Sequence, residues 1–296
     1  MFCLLKRPLT CPALSTLALS IFLLTGCALP TADPVPPTPE IRFDNPENLP
    51  RAQKQWHEFL TRAQSAPVIM LGEQHDAPEH HEWETDTVRE LVRRNQLAAL
   101  VLEMADAGTS TKGLPASASE AEVQQALNWN DKGWPWLSYG PSVMAAVRAD
   151  VPVLGGDLPR QQMAGVMKNA RFDQHLSAEA MQIQIDAIKS GHCNLLPKAQ
   201  LLPMARVQLA RDESMAKVIL SSLRPERTVL LIAGHGHVRS LVGVSNWLPR
   251  DLLAHKAIAQ AGQIDPAIKY EASIFIVTPA LPKKDHCAEL RQHFKR

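Results

Sequence analysis

The sequence predicts an α/β protein: a mostly parallel central sheet flanked by helices, with a smaller helical subdomain. Three observations carry that reading. Four apolar runs, at 68–71, 98–102, 151–154 and 228–233, have strand length and lack polar alternation, the pattern of strands buried on both faces. Stretches of helical period lie between them, as crossovers between parallel strands require. Each run then ends in glycine or an ionisable side chain: Gly72-Glu73-Gln74-His75, Glu103, Gly155-Gly156-Asp157 and Gly234-His235-Gly236-His237.

Taken in order, residues 1–26 read as a signal peptide. Lys6 and Arg7 supply positive charge, and the apolar run 14–24 is too short to span a bilayer. Leu24-Thr25-Gly26-Cys27 resembles the bacterial lipobox, whose cysteine is diacylated; the plainer alternative is an ordinary signal peptide cut elsewhere. With Ala28 after the cysteine and no Asp, the pattern resembles lipoproteins sent to the outer membrane. Residues 27–50 are rich in proline and poor in apolar periodicity, which predicts an extended tether.

The domain is expected over 51–280, with a helical insertion at about 105–225 and an exposed tail at 281–296. Residues 52–66 carry Trp56, Leu60 and Ala63 on one helical stripe. After the first apolar strand, Pro78 suits the first turn of a helix at 78–94, with Val88, Leu91 and Val92 facing the sheet and His80 and His81 near its start. The stretch 105–135 holds a short helix at 120–127 and leads into the aromatic group Trp129, Trp134, Trp136 and Tyr139; a helix resumes at 141–149.

Helices are expected at 159–168, 178–188 and 203–223. On the last, Met204, Gln208, Arg211, Met215 and Val218 share a face, so Arg211 stands where an apolar residue is expected. It either snorkels to the surface or pairs with something inside. Further strands are expected at 254–259 and 272–277. Of the five cysteines, Cys3 and Cys11 leave with the signal peptide and Cys27 is the lipidation site; Cys193 and Cys287 can form one disulfide in an oxidising compartment.

Composition sets limits. A formal net charge of +1 gives no general attraction to nucleic acid or anionic lipid. No P-loop or Gly-x-Gly-x-x-Gly follows a strand, and no Gly-x-Ser-x-Gly elbow appears, so a nucleotide cofactor and an α/β-hydrolase triad are unsupported.

In a parallel sheet the strand ends share one edge, where ligands bind. Glu73, His75, Glu103, Asp157 and His237 collect there, and Arg211 can join from its helix. Burying such groups unpartnered costs on the order of 2–7 kcal/mol each, so they should meet one another. The pooled set suits metal-free acid–base work, with Glu73, His75, Glu103, Arg211 and His237 as catalytic candidates. It equally suits a divalent cation, with Glu73, His75 and His235 as candidate ligands.

Several ordered motifs carry a family resemblance. They are Gly72-Glu73-Gln74-His75-Asp76, Leu102-Glu103-Met104, Trp136-Leu137-Ser138-Tyr139-Gly140-Pro141, Gly191-His192-Cys193, Gln208-Leu209-Ala210-Arg211-Asp212 with Met215-Ala216, and Gly234-His235-Gly236-His237. Together they resemble the ChaN family of haem-binding lipoproteins, within the Tiki-like superfamily, over about 56–279.

The resemblance implies a parallel sheet with a smaller helical domain and haem held between two protomers. It implies one tyrosine on each iron, with a histidine and a lysine of the other protomer meeting the propionates. Tyr139, one of only two tyrosines, lies in the matching segment and becomes the iron-ligand candidate. An interior aromatic with a satisfied hydroxyl is the competing reading of Tyr139. His192 and Lys198 are the propionate candidates, with Lys132 as an alternative.

The function so implied is that of a membrane-anchored, homodimeric haem-binding lipoprotein in haem or iron uptake, with a haem receptor as a possible partner. The superfamily also includes members resembling metal-dependent proteases and erythromycin esterase, whose Gly-Glu-x-His position matches Glu73 and His75. A metal-dependent peptidase or esterase is therefore the alternative.

Overall fold

The computed structural model describes residues 38–293. Its centre is a seven-stranded sheet, parallel throughout, in the order β1-β7-β6-β2-β5-β3-β4. The strands are β1 (Glu40–Arg42), β2 (Val68–Glu73), β3 (Leu97–Asp106), β4 (Val153–Asp157), β5 (Thr228–Gly234), β6 (Ala254–Ala261) and β7 (Ile274–Thr278). The helices are α1 (Leu49–Arg62), α2 (Pro78–Arg93), α3 (Glu120–Ala126), α4 (Trp136–Arg148), α5 (Arg160–Met167), α6 (Ala178–Gly191), α7 (Lys198–Ser222), α8 (His235–Val238) and α9 (His286–His293). The predicted α/β class is the class observed.

Strand alternation sorts the core into two faces. Ile69, Leu71, Leu100, Leu102 and Ile232 pack against Trp56, Leu60, Trp83, Leu91 and Val143 of α1, α2 and α4. Val68, Met70, Val101, Leu231 and Ala233 face the other way, onto Met215, Ala216 and Ile219 of α7 and Val238 of α8. All of these side chains are buried and Leu100 is fully enclosed, so Leu100→Ala would cost about 2–5 kcal/mol. The subdomain has its own core, in which Leu158, Phe172, Met181, Ile188 and Leu209 join α5, α6 and the first half of α7.

Five expected spans are corrected. The tether reading of 27–50 fails over 38–50: β1 is the edge strand of the sheet, bonded to β7, and α1 already begins at Leu49. Ile41 alone of that strand is buried, too little for periodicity to register. The helical stretch of about 105–225 is interrupted by β4, which pairs with β3. The tail of 281–296 is not simply an exposed extension, because α9 begins at His286 and Cys287 is joined to Cys193 by a disulfide, Cα to Cα 5.7 Å. Lastly, α4 starts at Trp136 and α7 at Lys198, each ahead of the proline expected to open it. The Trp136 N–H donates to Asp131 Oδ1 at 2.7 Å, which settles the earlier start of α4.

Candidate functional site

The site lies at the carboxyl ends of β2, β5, β3 and β4, covered by α2, α4 and α7. Two glycines let these ends crowd together. A Cβ on Gly72 would stand 2.9 Å from the Cα of His235, and one on Gly234 would stand 2.7 Å from His75 Nε2.

Glu73, the last residue of β2, is wholly buried. Its Oε1 accepts from the Tyr139 hydroxyl at 2.9 Å and from His75 Nδ1 at 2.8 Å. Its Oε2 lies 3.0 Å from His81 Nδ1, but off the hydrogen-bonding line, so neither atom has a hydrogen-bond partner. His81 Nε2 instead meets the carbonyl of His75 at 3.2 Å. Glu84, one turn further along α2, brings Oε2 to 3.5 Å from the same His81 Nδ1. Burial favours a neutral Glu73, yet the contacts to His75 and His81 outweigh it and lower the pKa to about 2. Glu84 goes the other way, raised to about 8 by burial and by the charge of Glu73.

Glu103 of β3 is the second centre. Its Oε1 accepts from Arg211 Nη2 at 2.7 Å and its Oε2 from the Gly234 N–H at 2.6 Å. Arg211 also forks onto Asp157 at 2.6 and 2.9 Å. Arg211 therefore pairs internally rather than snorkelling. His237 Nε2 lies 3.4 Å from Glu103, and its Nδ1 donates to the buried Asp212 at 2.6 Å. Burial would lower the His237 pKa, but flanking Glu103 and Asp212 raise it to about 10. Burial opposes ionisation of Glu103 too, yet His237 and Arg211 hold it well below the usual range.

His75 joins the two centres. Its Nδ1 is on Glu73, its Nε2 is 3.8 Å from Glu103, and 37 % of its side chain is exposed. It opens onto a cavity of about 740 Å³, also lined by His81, Arg89, Pro135, Leu137 and Pro141. A buried carboxylate thus orients an accessible imidazole, the geometry of a general acid–base pair.

Residues 59–248 match the family described as haem-binding uptake, Tiki superfamily, ChaN. The chain belongs to this family. A structure of cofacial haem binding to ChaN of Campylobacter jejuni is similar at TM-score 0.62 and 22 % identity, covering 74 % of this chain and 90 % of that one. That likeness shows the shared fold. A Bacillus cereus protein (15 % identity, TM-score 0.40, 70 % of this chain and 69 % of that one) is a more distant match. So is RRSP, a MARTX toxin effector domain from Vibrio vulnificus (12 % identity, TM-score 0.38, 75 % of this chain and 38 % of that one). No curated protein matches the chain.

Within this ChaN-family chain, the fold brings five sequence candidates together: Glu73, His75, Glu103, Arg211 and His237. His235 is close by, but its Nδ1 meets the main-chain carbonyl of Glu73 at 3.2 Å rather than the carboxylate. Tyr139 sits inside the cluster, not at a surface; it is 1 % exposed and spends its hydroxyl on Glu73. Burial and the neighbouring Glu73 charge push its pKa upward, against the phenolate that iron ligation needs. His192 lies elsewhere, capping α6 in a separate cavity of about 250 Å³ whose far wall is His237 and Asp212. Lys198 is exposed at the start of α7, and Lys132 is exposed in the turn before α4. Cys27 lies outside the described residues.

Three members of the cluster were not singled out as site residues by the sequence reading: His81, Glu84 and Asp212. A signal existed for two of them. His81 and Glu84 are three apart on α2 and so share the face that Val88 and Leu91 turn to the sheet. Polar residues on an apolar face mark a buried site as clearly as Arg211 does on α7.

Proposed function

We propose that this protein is a lipid-anchored, haem-binding protein of the bacterial cell envelope that acts in haem or iron uptake. The observation that carries the reading is the family match over 59–248. The lipobox at Cys27 supports anchoring, with the outer membrane as the address. A homodimer sharing haem, and a receptor that receives it, belong to the same proposal.

The cavity beside His75 suits part of a haem. Its volume of about 740 Å³ is within the usual range of ligand pockets, roughly 300–1,000 Å³. Pro78, Pro135, Leu137 and Pro141 offer apolar surface, and Arg89 offers a cation for a propionate. Leu137 is 91 % exposed, an apolar side chain with little of its own chain to cover it. Tyr139 as placed does not fit the iron-ligand role, since its hydroxyl is enclosed and protonated. Tyr270 is exposed but lies beyond the matched span, so no ligation step is assigned to either. Haem titration followed at the Soret band tests the proposal. Saturable binding weakened by Leu137→Asp and Arg89→Glu supports it; no saturable binding refutes it.

A second reading is favoured by the strand-end cluster, which haem uptake does not explain. Two buried carboxylates around a half-exposed His75 suit a hydrolase, a peptidase or esterase, with His75 moving the proton. Peptide and ester panels with wild type and Glu73→Gln test it. Turnover lost in the variant supports hydrolysis, and no turnover in wild type counts against it.

A further inference from the structure

The structure assigns a divalent-cation site to Glu73, His81 and Glu84. One donor atom from each lies within 4.8 Å of the others, and all three residues are buried. The site differs from the expected set of Glu73, His75 and His235. His75 is turned to Glu73 Oε1, and His235 to the main chain.

The hydrogen-bond pattern points to the ion. His81 Nε2 lies 3.2 Å from the His75 carbonyl, which can only accept, so Nε2 carries the proton. With Nε2 so engaged, Nδ1 is the ring nitrogen available to ligate a metal. It faces Glu73 Oε2 at 3.0 Å and Glu84 Oε2 at 3.5 Å. Three buried polar groups meet there, and two of the facing atoms, Glu73 Oε2 and His81 Nδ1, have no hydrogen-bond partner. A proton on Nδ1 would serve only along a hydrogen-bonding line, and Glu73 Oε2 and His81 Nδ1 are off it, both without a partner. Glu84 Oε1 is also buried without a partner. A metal ion between the three groups satisfies them without that alignment.

The donor chemistry names the class. One imidazole and two carboxylates, with no thiolate, suit zinc or manganese. Tetrahedral donors on bonds of about 2.0–2.2 Å stand roughly 3.3–3.6 Å apart, close to the 3.0 and 3.5 Å that separate His81 Nδ1 from Glu73 Oε2 and Glu84 Oε2. The second shell is in place: His81 is oriented by a carbonyl, and Glu73 is held from its other oxygen by Tyr139. His81 also lines the cavity of about 740 Å³, so the site adjoins solvent-accessible space. Three protein ligands leave a position for water or a ligand.

This inference does not rest on haem binding, and its test reads the metal rather than turnover or a Soret band. Haem-free, chelator-treated protein is titrated calorimetrically with Zn²⁺ and, separately, with Mn²⁺. The expected result is one equivalent bound for at least one of the two ions. Glu84→Gln and His81→Gln should each weaken that binding at least tenfold, and His57→Ala, an exposed control, should not change it. Cobalt loading of the wild type gives a readout that needs no variant to fold: visible d–d bands at one equivalent, without thiolate charge transfer. Absence of stoichiometric binding by wild type to all three ions overturns the assignment. So does undiminished binding in both cluster variants.

Discussion

Tyr139 gives its hydroxyl to Glu73 across 2.9 Å, with both side chains closed off from solvent. This bond joins α4 to the end of β2 and holds a buried carboxylate in place. Tyr139→Phe keeps the ring and its edge contacts with His81 and Trp134 but removes the donor. The expected loss of stability is about 1–3 kcal/mol, read from urea denaturation. The Soret spectrum of a haem complex should be unchanged in this variant. A lost or shifted band would return Tyr139 to the iron.

Arg211 holds Glu103 and Asp157 together, and so ties α7 to β3 and β4. Arg211→Met leaves Asp157 without its cation and Glu103 with only His237. Breaking such a pair costs about 3–5 kcal/mol, and denaturation midpoints should show it. Arg211→Lys should recover only part, because an ammonium cannot fork onto Asp157 while reaching Glu103. Full recovery would mean that charge alone matters there.

His237 makes stability depend on alkaline pH. Its pKa is raised from 6.5 to about 10 between Glu103 and Asp212, so the folded state holds this proton more tightly than the unfolded state. The stabilisation is complete below pH 6.5 and is lost as pH rises through about 10. Its size is on the order of a few kcal/mol. The difference in unfolding free energy between wild type and His237→Gln should therefore shrink between pH 7 and 10. A difference that stays constant over that range would show that His237 is neutral in the fold.

Two glycines should respond differently to a methyl group. On Gly155 the new Cβ would stand 2.1 Å from the carbonyl oxygen of Asp106, which is backbone and cannot step aside. Gly155→Ala is expected to be severely destabilising, by about 3 kcal/mol or more. On Gly234 the nearest atom is His75 Nε2 at 2.7 Å, the far end of a side chain. Gly234→Ala should fold with a cost nearer 1 kcal/mol. It should also displace His75, visible as a shifted imidazole resonance by NMR. Equal melting temperatures for the two variants would contradict this.

Much of this was legible in the sequence because the informative patterns are local. Four apolar runs ending in Glu73, Glu103, Asp157 and His237 are enough to place those groups at one sheet edge, and Arg211 betrayed itself by standing in an apolar stripe. What escaped depends on tertiary contacts. The strand at Glu40–Arg42 is three residues at an edge, with one buried side chain. The burial of Tyr139 follows from how α4 docks on α2, which its neighbours in sequence do not reveal. His81 and Glu84 became site residues only when the rotation of α2 fixed which face meets β2. That Cys193 and Cys287 can pair was legible, but that they do depends on the fold, which brings together cysteines 94 residues apart.

The central claim is that this member of the ChaN family binds haem against the cavity beside His75. Soret-monitored titration of the full chain with haem, in wild type and Leu137→Asp, tests it most directly. Leu137 is almost entirely exposed, so the substitution should leave folding intact. Saturable binding in wild type, weakened at least tenfold in Leu137→Asp, is the expected result. Wild type that fails to saturate, or a variant that binds as tightly, would contradict the account.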